Sequence, residues 1–234
     1  MIPLKDMSPR RSVPIVTILL IVANALVFFY QIGLPPRAAD AFINTYGLVP
    51  AKIQMALAGS DRVGLGNALE PLFTCIFLHG GWLHILGNMW FLWIFGGNVE
   101  DRLGPVVYLG FYLVCGIASG VAQVLFSWGS PVPSIGASGA ISGVLGAYIV
   151  LFPYSRILTL VPLFVFFFTA RIPAMIFIGL WFFVQFLSGV GSLGATGAAA
   201  SGGVAWWAHI GGFALGAVLA LGMRGRRAVI YDGA

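Results

Sequence analysis

The stretch GASGAISGVLGAYIVLFP at residues 136–153 decides the fold of this chain. It carries no charged side chain, and its small residues lie four apart, from Gly139 to Gly143 and from Ser142 to Gly146. Such spacing lets two helices approach closely inside a membrane. A helix over residues 138–152 is about 22 Å long, which is too short to cross a hydrocarbon core of about 30 Å. We therefore predict a short helix that begins below the membrane surface, inside a bundle of longer membrane-spanning helices.

The composition of the whole chain also predicts a membrane protein. Of its 234 residues, 59% are hydrophobic and only 8% are charged, and the mean hydropathy is +0.98. A soluble domain could not cover so much apolar surface. The formal net charge of +5 comes from Lys and Arg residues that flank apolar segments, so membrane topology explains it better than nucleic-acid binding.

The apolar segments predict an all-α bundle of six transmembrane helices. In chain order they cover residues 14–32, 71–98, 106–128, 138–152, 172–187 and 204–223. Residues 33–70 form a large external loop in this interpretation, and this loop can contain an interfacial helix. Residues 157–170, which Pro162 interrupts, are interpreted as an interfacial or re-entrant connection. The membrane domain is thus expected to cover residues 14–223.

The basic residues predict the orientation of the bundle. They are concentrated in the tail of residues 1–13 and in the tail of residues 224–234. By the positive-inside rule, both tails lie in the cytoplasm, which requires an even number of crossings. The composition and the short tails favour a bacterial inner membrane over an organelle, and they leave the oligomeric state open.

The acidic residues and cysteines argue against several kinds of chemistry. The acidic residues lie in tails, in loops or at helix ends: Asp6, Asp40, Asp61, Glu70, Glu100, Asp101 and Asp232. This placement argues against proton-coupled transport and against a two-aspartate intramembrane protease. The sequence lacks the His-Glu-x-x-His pattern of metalloproteases. Cys75 and Cys115 lack metal-ligand spacing, so neither a metal nor another cofactor is expected.

The histidines are the remaining candidates for chemistry. His84 and Asn88 lie four residues apart, so one helix face presents both as donors toward a developing oxyanion. His209 lies near the start of the last helix, at a predicted depth similar to that of Ser138. Purely structural roles are the alternatives to chemistry: Ser138 would cap its helix, and His79 would be a packed, hydrogen-bonded histidine.

Three motifs together resemble a known family. In chain order they are His84-Ile85-Leu86-Gly87-Asn88, Gly136-Ala137-Ser138-Gly139 and Ala208-His209-Ile210-Gly211-Gly212. The sequence resembles the rhomboid family of intramembrane serine proteases, and the likeness covers the second to the sixth predicted helix. The stretch of residues 79–101, with its histidines, Asn88 and tryptophans, is also similar to that family.

The resemblance implies a serine endopeptidase that cuts membrane proteins in or near their transmembrane segments, within the lipid bilayer. It implies that Ser138 is the nucleophile and that His209 is its general base. Asn88, His84 and the backbone amide of Ser138 would then form the oxyanion hole. The active site would lie toward the outer side of the membrane.

The resemblance also implies finer features and exposes two departures. Ser119 and Gln123 match proposed water-holding positions, with simple interhelical hydrogen bonding as the alternative. Ser142 stands where some family members carry an aromatic residue that packs on the catalytic histidine, so histidine orientation is expected to rest on other contacts. A Trp-Arg pair of many relatives is replaced by residues 69–71 (Leu-Glu-Pro). The uncharged segment of residues 188–203 is a candidate lid.

Two other kinds of function remain as alternatives. A catalytically silent relative would bind transmembrane segments and control their trafficking or degradation, but the presence of both Ser138 and His209 speaks against it. A small transporter or channel is disfavoured because the sequence has neither an internal repeat nor broken helices in matching halves.

Overall fold

The computed structural model describes residues 1–61, 63–163, 166–193 and 204–223. The described elements are, in chain order, β1 (Ile2–Asp6), α1 (Ile15–Ile32), α2 (Pro36–Tyr46), α3 (Pro50–Leu57), α4 (Leu65–Leu69), α5 (Pro71–Thr74), a 3-10 turn (Cys75–Phe77), α6 (Trp82–Phe91), a π-helical turn (Leu92–Gly96), α7 (Gly97–Leu103), α8 (Pro105–Phe126), α9 (Ser138–Leu151), β2 (Arg156–Leu163), β3 (Phe166–Pro173), α10 (Ala174–Ser192) and α11 (Trp206–Met223). The predicted tail of residues 224–234 lies outside the described residues.

Helices dominate this fold. Among the described residues, α1, α8, α10 and α11 are each long and apolar enough to cross a membrane. A fifth span arises if the bent pair Leu65–Phe77 and Trp82–Leu103 is counted as one crossing. Helix α9 has only 14 residues, as its sequence predicted. The chain is therefore a polytopic, largely helical integral membrane protein.

The prediction of one straight second helix over residues 71–98 is wrong. The chain bends by 76° between Leu65–Phe77 and Trp82–Leu103. The break falls at Gly80 and Gly81, where Gly81 has a φ of 157°, a backbone conformation that glycine adopts at little steric cost. This bend lets α6 start beside the polar interior of the bundle.

The all-α prediction is also incomplete, because the chain forms a small antiparallel sheet in the order β1-β2-β3. Residues 157–170, interpreted as an interfacial or re-entrant connection, are instead a β-hairpin of β2 and β3. Its Ile, Val, Thr and Phe residues favour strands. Pro162 lies beyond the last residue that pairs with β1, at an open edge where a missing N–H is tolerated.

The predicted N-terminal tail of residues 1–13 contains a β-strand. Residues 2–6 form β1, which pairs with β2. Asp6 ties this strand to the helices, since its carboxylate accepts hydrogen bonds from Asn98 and from the Tyr148 hydroxyl. Residues 33–70, predicted as a loop, contain three helices, α2 to α4.

Glu100 explains how an acidic residue is accommodated in this interior. It is 3% exposed, and its carboxylate accepts hydrogen bonds of 2.8 Å from the backbone amides of Val16 and Thr17. These amides belong to the first turn of α1, whose N–H groups lack partners within the helix. Glu100 thus acts as a cap for α1 supplied by another helix.

Helices α9 and α11 pack backbone to backbone, which small residues four apart permit. A Cβ atom added at Gly212 would collide with the carbonyl oxygen of Gly139, and one added at Gly216 with that of Gly143. A Cβ at Gly146 would collide in turn with the carbonyl oxygen of Phe213. Only glycine permits this approach, which sets the distance between the two helices.

We expect Gly216→Ala to destabilise the protein, because the new methyl group meets the rigid backbone of α9. Overpacking of this kind costs about 1–3 kcal/mol. Thermal unfolding in detergent should show a clear fall in midpoint. Gly222→Ala is the matched control on α11, where an added Cβ meets nothing within 4 Å. Equal stability of the two variants would contradict the packing described.

Candidate functional site

Ser138 and His209 meet across the interface between α9 and α11. The hydroxyl oxygen of Ser138 lies 2.8 Å from Nε2 of His209. Ser138 is the first residue of α9, and Ala137 occupies the capping position, so the alternative of an N-cap serine is wrong. His209 is 7% exposed. A hydroxyl this close to an imidazole can transfer its proton to the ring, which is the geometry of an activated nucleophile.

A cavity opens beside this pair. Its volume is about 330 Å³. The lining comes from α6, α9, α10 and the start of α11: Leu83, His84, Gly87, Asn88, Phe91, Ser138, Ile141, Ser142, Leu145, Trp181, Gln185, Val204, Trp206 and His209. The lining thus combines a few polar side chains with a mostly apolar wall, as in many ligand sites.

The side-chain amide of Asn88 is a hydrogen-bond donor without an acceptor among the described residues. Its side chain is 8% exposed, and its Nδ2 atom has no hydrogen-bond partner among the described residues. An unsatisfied buried donor costs free energy. Because the same side chain lines the cavity next to Ser138, a bound oxygen atom would satisfy it.

His84 directs a second donor toward the same place. Its Nδ1 accepts a hydrogen bond of 3.2 Å from the backbone amide of Gly80, so the neutral ring carries its proton on Nε2. Gly136 has a φ of 126°, and a Cβ there would lie 2.7 Å from His84 Nε2 and 3.5 Å from Asn88 Nδ2. The absence of a side chain at Gly136 lets both donors approach the loop that precedes Ser138.

Ser119 and Gln123, singled out in the sequence as water-holding candidates, make hydrogen bonds with backbone groups. Ser119 donates to the carbonyl oxygen of Gly116 at 2.7 Å, and the Gln123 side-chain oxygen accepts from the backbone amide of Ala208 at 3.2 Å. Neither residue lines the cavity in the described part of the chain. The Gln123 bond joins α8 to α11 and is the interhelical bonding named as the alternative, whereas the Ser119 bond lies within α8. The water-holding role stays a prediction.

His79 is packed but its ring is not hydrogen-bonded. It is 0% exposed, and neither ring nitrogen has a partner among the described residues. The ring instead packs edge-on against His84, with 5.1 Å between centroids. The expectation of a packed histidine is confirmed, and that of a hydrogen-bonded one is not.

Ser142, which departs from the family pattern, does not hold the His209 ring. Its hydroxyl donates to the carbonyl oxygen of Ser138 at 2.6 Å. Gln185 on α10 was missed in the sequence, although it is the one amide in an otherwise apolar helix segment, and its Oε1 lies 2.7 Å from His209 Nδ1. Trp181, also missed, lies one turn earlier, with its ring centroid 6.0 Å from that of His209.

Two further predictions concern surrounding segments. The candidate lid of residues 188–203 begins inside α10, which continues to Ser192, so residues 188–192 are not a loop. Residues 194–203 lie outside the described residues. Cys75 and Cys115 are both buried free thiols.

The candidate membrane spans and the partly buried serine–histidine pair define a class: a helical integral membrane protein with a candidate nucleophilic site inside its bundle. The chain belongs to the rhomboid family, since the Rhomboid domain matches residues 67–226, more than half of its length. This confirms the resemblance seen in the motifs.

Individual relatives support the same family. The chain is 46% identical over 76 residues to Rhomboid protease GluP of Bacillus subtilis, covering 32% of this chain and 14% of that protein. It is 36% identical over 148 residues to the mitochondrial Rhomboid protein 1 of Saccharomyces cerevisiae, covering 60% of this chain and 38% of that protein. RHOMBOID-like protein 5 of Arabidopsis thaliana is 37% identical over 76 residues, which cover 32% of this chain and 25% of that protein. The chain thus spans well under half the length of these relatives.

We expect Gly136→Ala to separate the His84 and Asn88 donors from the loop before Ser138. The added Cβ would crowd His84, and a non-glycine residue at positive φ is strained by about 1–3 kcal/mol. The rate at which a fluorophosphonate labels Ser138 should fall at least about tenfold. Gly110→Ala, where a Cβ meets nothing within 4 Å, is the control. Unchanged labelling in Gly136→Ala would show that this approach is unimportant.

Proposed function

We propose that this protein is an intramembrane serine protease that hydrolyses peptide bonds in or near transmembrane segments. The observation that carries the proposal is the 2.8 Å contact between Ser138 Oγ and His209 Nε2, beside an unpartnered Asn88 donor in a cavity. A structural serine–histidine contact would not need a donor-lined cavity next to the hydroxyl. The name of the Bacillus subtilis relative, a rhomboid protease, agrees with this activity.

In the proposed mechanism, the Ser138 hydroxyl attacks the scissile carbonyl carbon while His209 Nε2 takes its proton. The carbonyl oxygen becomes an oxyanion, which Asn88 Nδ2, His84 Nε2 and the Ser138 backbone amide stabilise. His209 then gives the proton to the leaving amine. Water hydrolyses the acyl-enzyme, and its proton passes through His209 back to Ser138.

The oxyanion hole is the part of this site that favours catalysis over passive binding. The positive end of the α9 dipole lies at Ser138, where negative charge would develop. Asn88 and His84 approach the same loop from α6. Donors fixed in advance in a water-poor site stabilise a transition state without reorganising.

The substrate is proposed to be the transmembrane segment of another membrane protein. The cavity lining includes residues of α6, among them Phe91, and residues of α10, among them Trp181. A segment that entered between these two helices from the bilayer would reach Ser138. Its end must unwind there, because helical hydrogen bonds shield the peptide bonds from attack.

We propose a membrane domain over residues 14–223 with six transmembrane helices. Helices α1, α8, α10 and α11 and the bent pair that contains α6 supply up to five candidate spans, and the proposal counts the short α9 as the sixth helix of the bundle. The basic tails at residues 1–13 and 224–234 favour a cytoplasmic location for both termini. The active site then lies toward the outer side, in a bacterial inner membrane, although relatives include mitochondrial proteins.

Replacing Ser138 or His209 by alanine should abolish cleavage of a single-span reporter whose segment carries small residues at its outer end. Asn88→Ala should lower the cleavage rate about 10²–10³-fold, the usual effect of removing an oxyanion donor. Product fragments from purified protein in proteoliposomes, identified by mass spectrometry, provide the measurement.

Thermal unfolding of each variant controls for folding. Cleavage that persists in a folded Ser138→Ala variant would overturn the nucleophile assignment. If the wild type binds the reporter and never cuts it, the silent segment-binding relative becomes the better description.

A further inference from the structure

The ring of His209 is held from its far side by α10. The side-chain oxygen of Gln185 lies 2.7 Å from His209 Nδ1, while Nε2 on the other side faces Ser138. Gln185 and His209 are both 7% exposed, so water competes little for either group. The imidazole is therefore fixed at both nitrogens by two different helices.

This arrangement selects one form of the neutral ring. A general base must offer its lone pair to the hydroxyl of Ser138, so the Nε2 atom must be unprotonated. The single ring proton then resides on Nδ1, where it needs an acceptor. The Gln185 side-chain oxygen is that acceptor.

Other contacts do not replace this bond. Ser142 faces its own helix, with its hydroxyl on the Ser138 carbonyl oxygen. The rings of Trp181 and Trp206 approach His209 with centroid distances of 6.0 Å and 6.3 Å. Aromatic rings at these distances restrict tilt, but they cannot distinguish the two positions of the proton. Only the hydrogen bond from Nδ1 does so.

We propose that Gln185 is a positioning residue that fixes the tautomer and the orientation of His209, as a neutral third member of the serine–histidine site. The proposal rests on the proposed function for its catalytic consequence, but the ring state itself can be measured without activity. A neutral amide suits this position, because a carboxylate would have to be buried in an apolar helix at a cost in free energy.

The test compares three variants of α10. Gln185→Leu removes the acceptor at similar volume, and Gln185→Glu keeps an acceptor oxygen whether or not its carboxyl group is protonated. Val184→Ala, at a position that is 49% exposed on the same helix, controls for substitution in α10. Fluorophosphonate labelling of Ser138 should slow about tenfold to a hundredfold in Gln185→Leu. It should recover to within about threefold of wild type in Gln185→Glu.

Nitrogen NMR of protein isotopically labelled only in histidine measures which ring nitrogen of His209 carries the proton. The chain has three histidines, so a His209→Ala sample assigns the His209 signals by difference. The wild type should show a protonated Nδ1 and an unprotonated Nε2. Gln185→Leu should shift the His209 signals toward a mixture of tautomers, and Gln185→Glu should keep the proton on Nδ1.

The two measurements separate the possible failures. Unchanged His209 signals in a folded Gln185→Leu variant would overturn the positioning role. A fall in labelling that Gln185→Glu fails to recover would assign Gln185 to packing alone. A wild type that shows the Nδ1 tautomer and yet never reacts at Ser138 would contradict the proposed protease function and leave the ring assignment standing.

Discussion

The backbone contact between α9 and α11 is the constraint on which the rest of the structure depends. Glycines at 139, 143, 212 and 216 let the two helices touch without intervening side chains. In a bilayer, close van der Waals packing of this kind replaces the hydrophobic drive that holds soluble helices together. It also brings residues near the N-terminal end of each helix within hydrogen-bond distance, so Ser138 and His209 meet because their helices do.

The neighbouring helices then complete the site around this pair. Helix α6 brings His84 and Asn88 to the loop before Ser138, and the bare backbone of Gly136 makes room for them. Helix α10 brings Gln185 to the far side of the His209 ring. His84, Gln185 and His209 thus have hydrogen-bond partners, and Asn88 lines the cavity, in keeping with the cost of an unpaired polar group in a low-dielectric environment.

The sequence predicted the helical membrane bundle and the family motifs because long apolar segments and small-residue spacing report directly on lipid and close packing. It failed at residues 157–170, because a short apolar run without clear periodicity can form a strand or a buried helix. The bend before α6 was also missed, and so was the contact of Gln185 with His209. Both depend on tertiary contacts, although a single amide such as Gln185 in an apolar helix is itself a signal.

The most direct test of the site is a high-resolution structure of the protein after reaction with a fluorophosphonate. We expect phosphorus bonded to the Ser138 hydroxyl oxygen, with the phosphoryl oxygen about 2.7–3.1 Å from Asn88 Nδ2 and His84 Nε2. His209 should remain hydrogen-bonded to Gln185. An unmodified Ser138 with its bond to His209 intact, or an adduct whose oxygen points away from Asn88 and His84, would contradict the catalytic assignment.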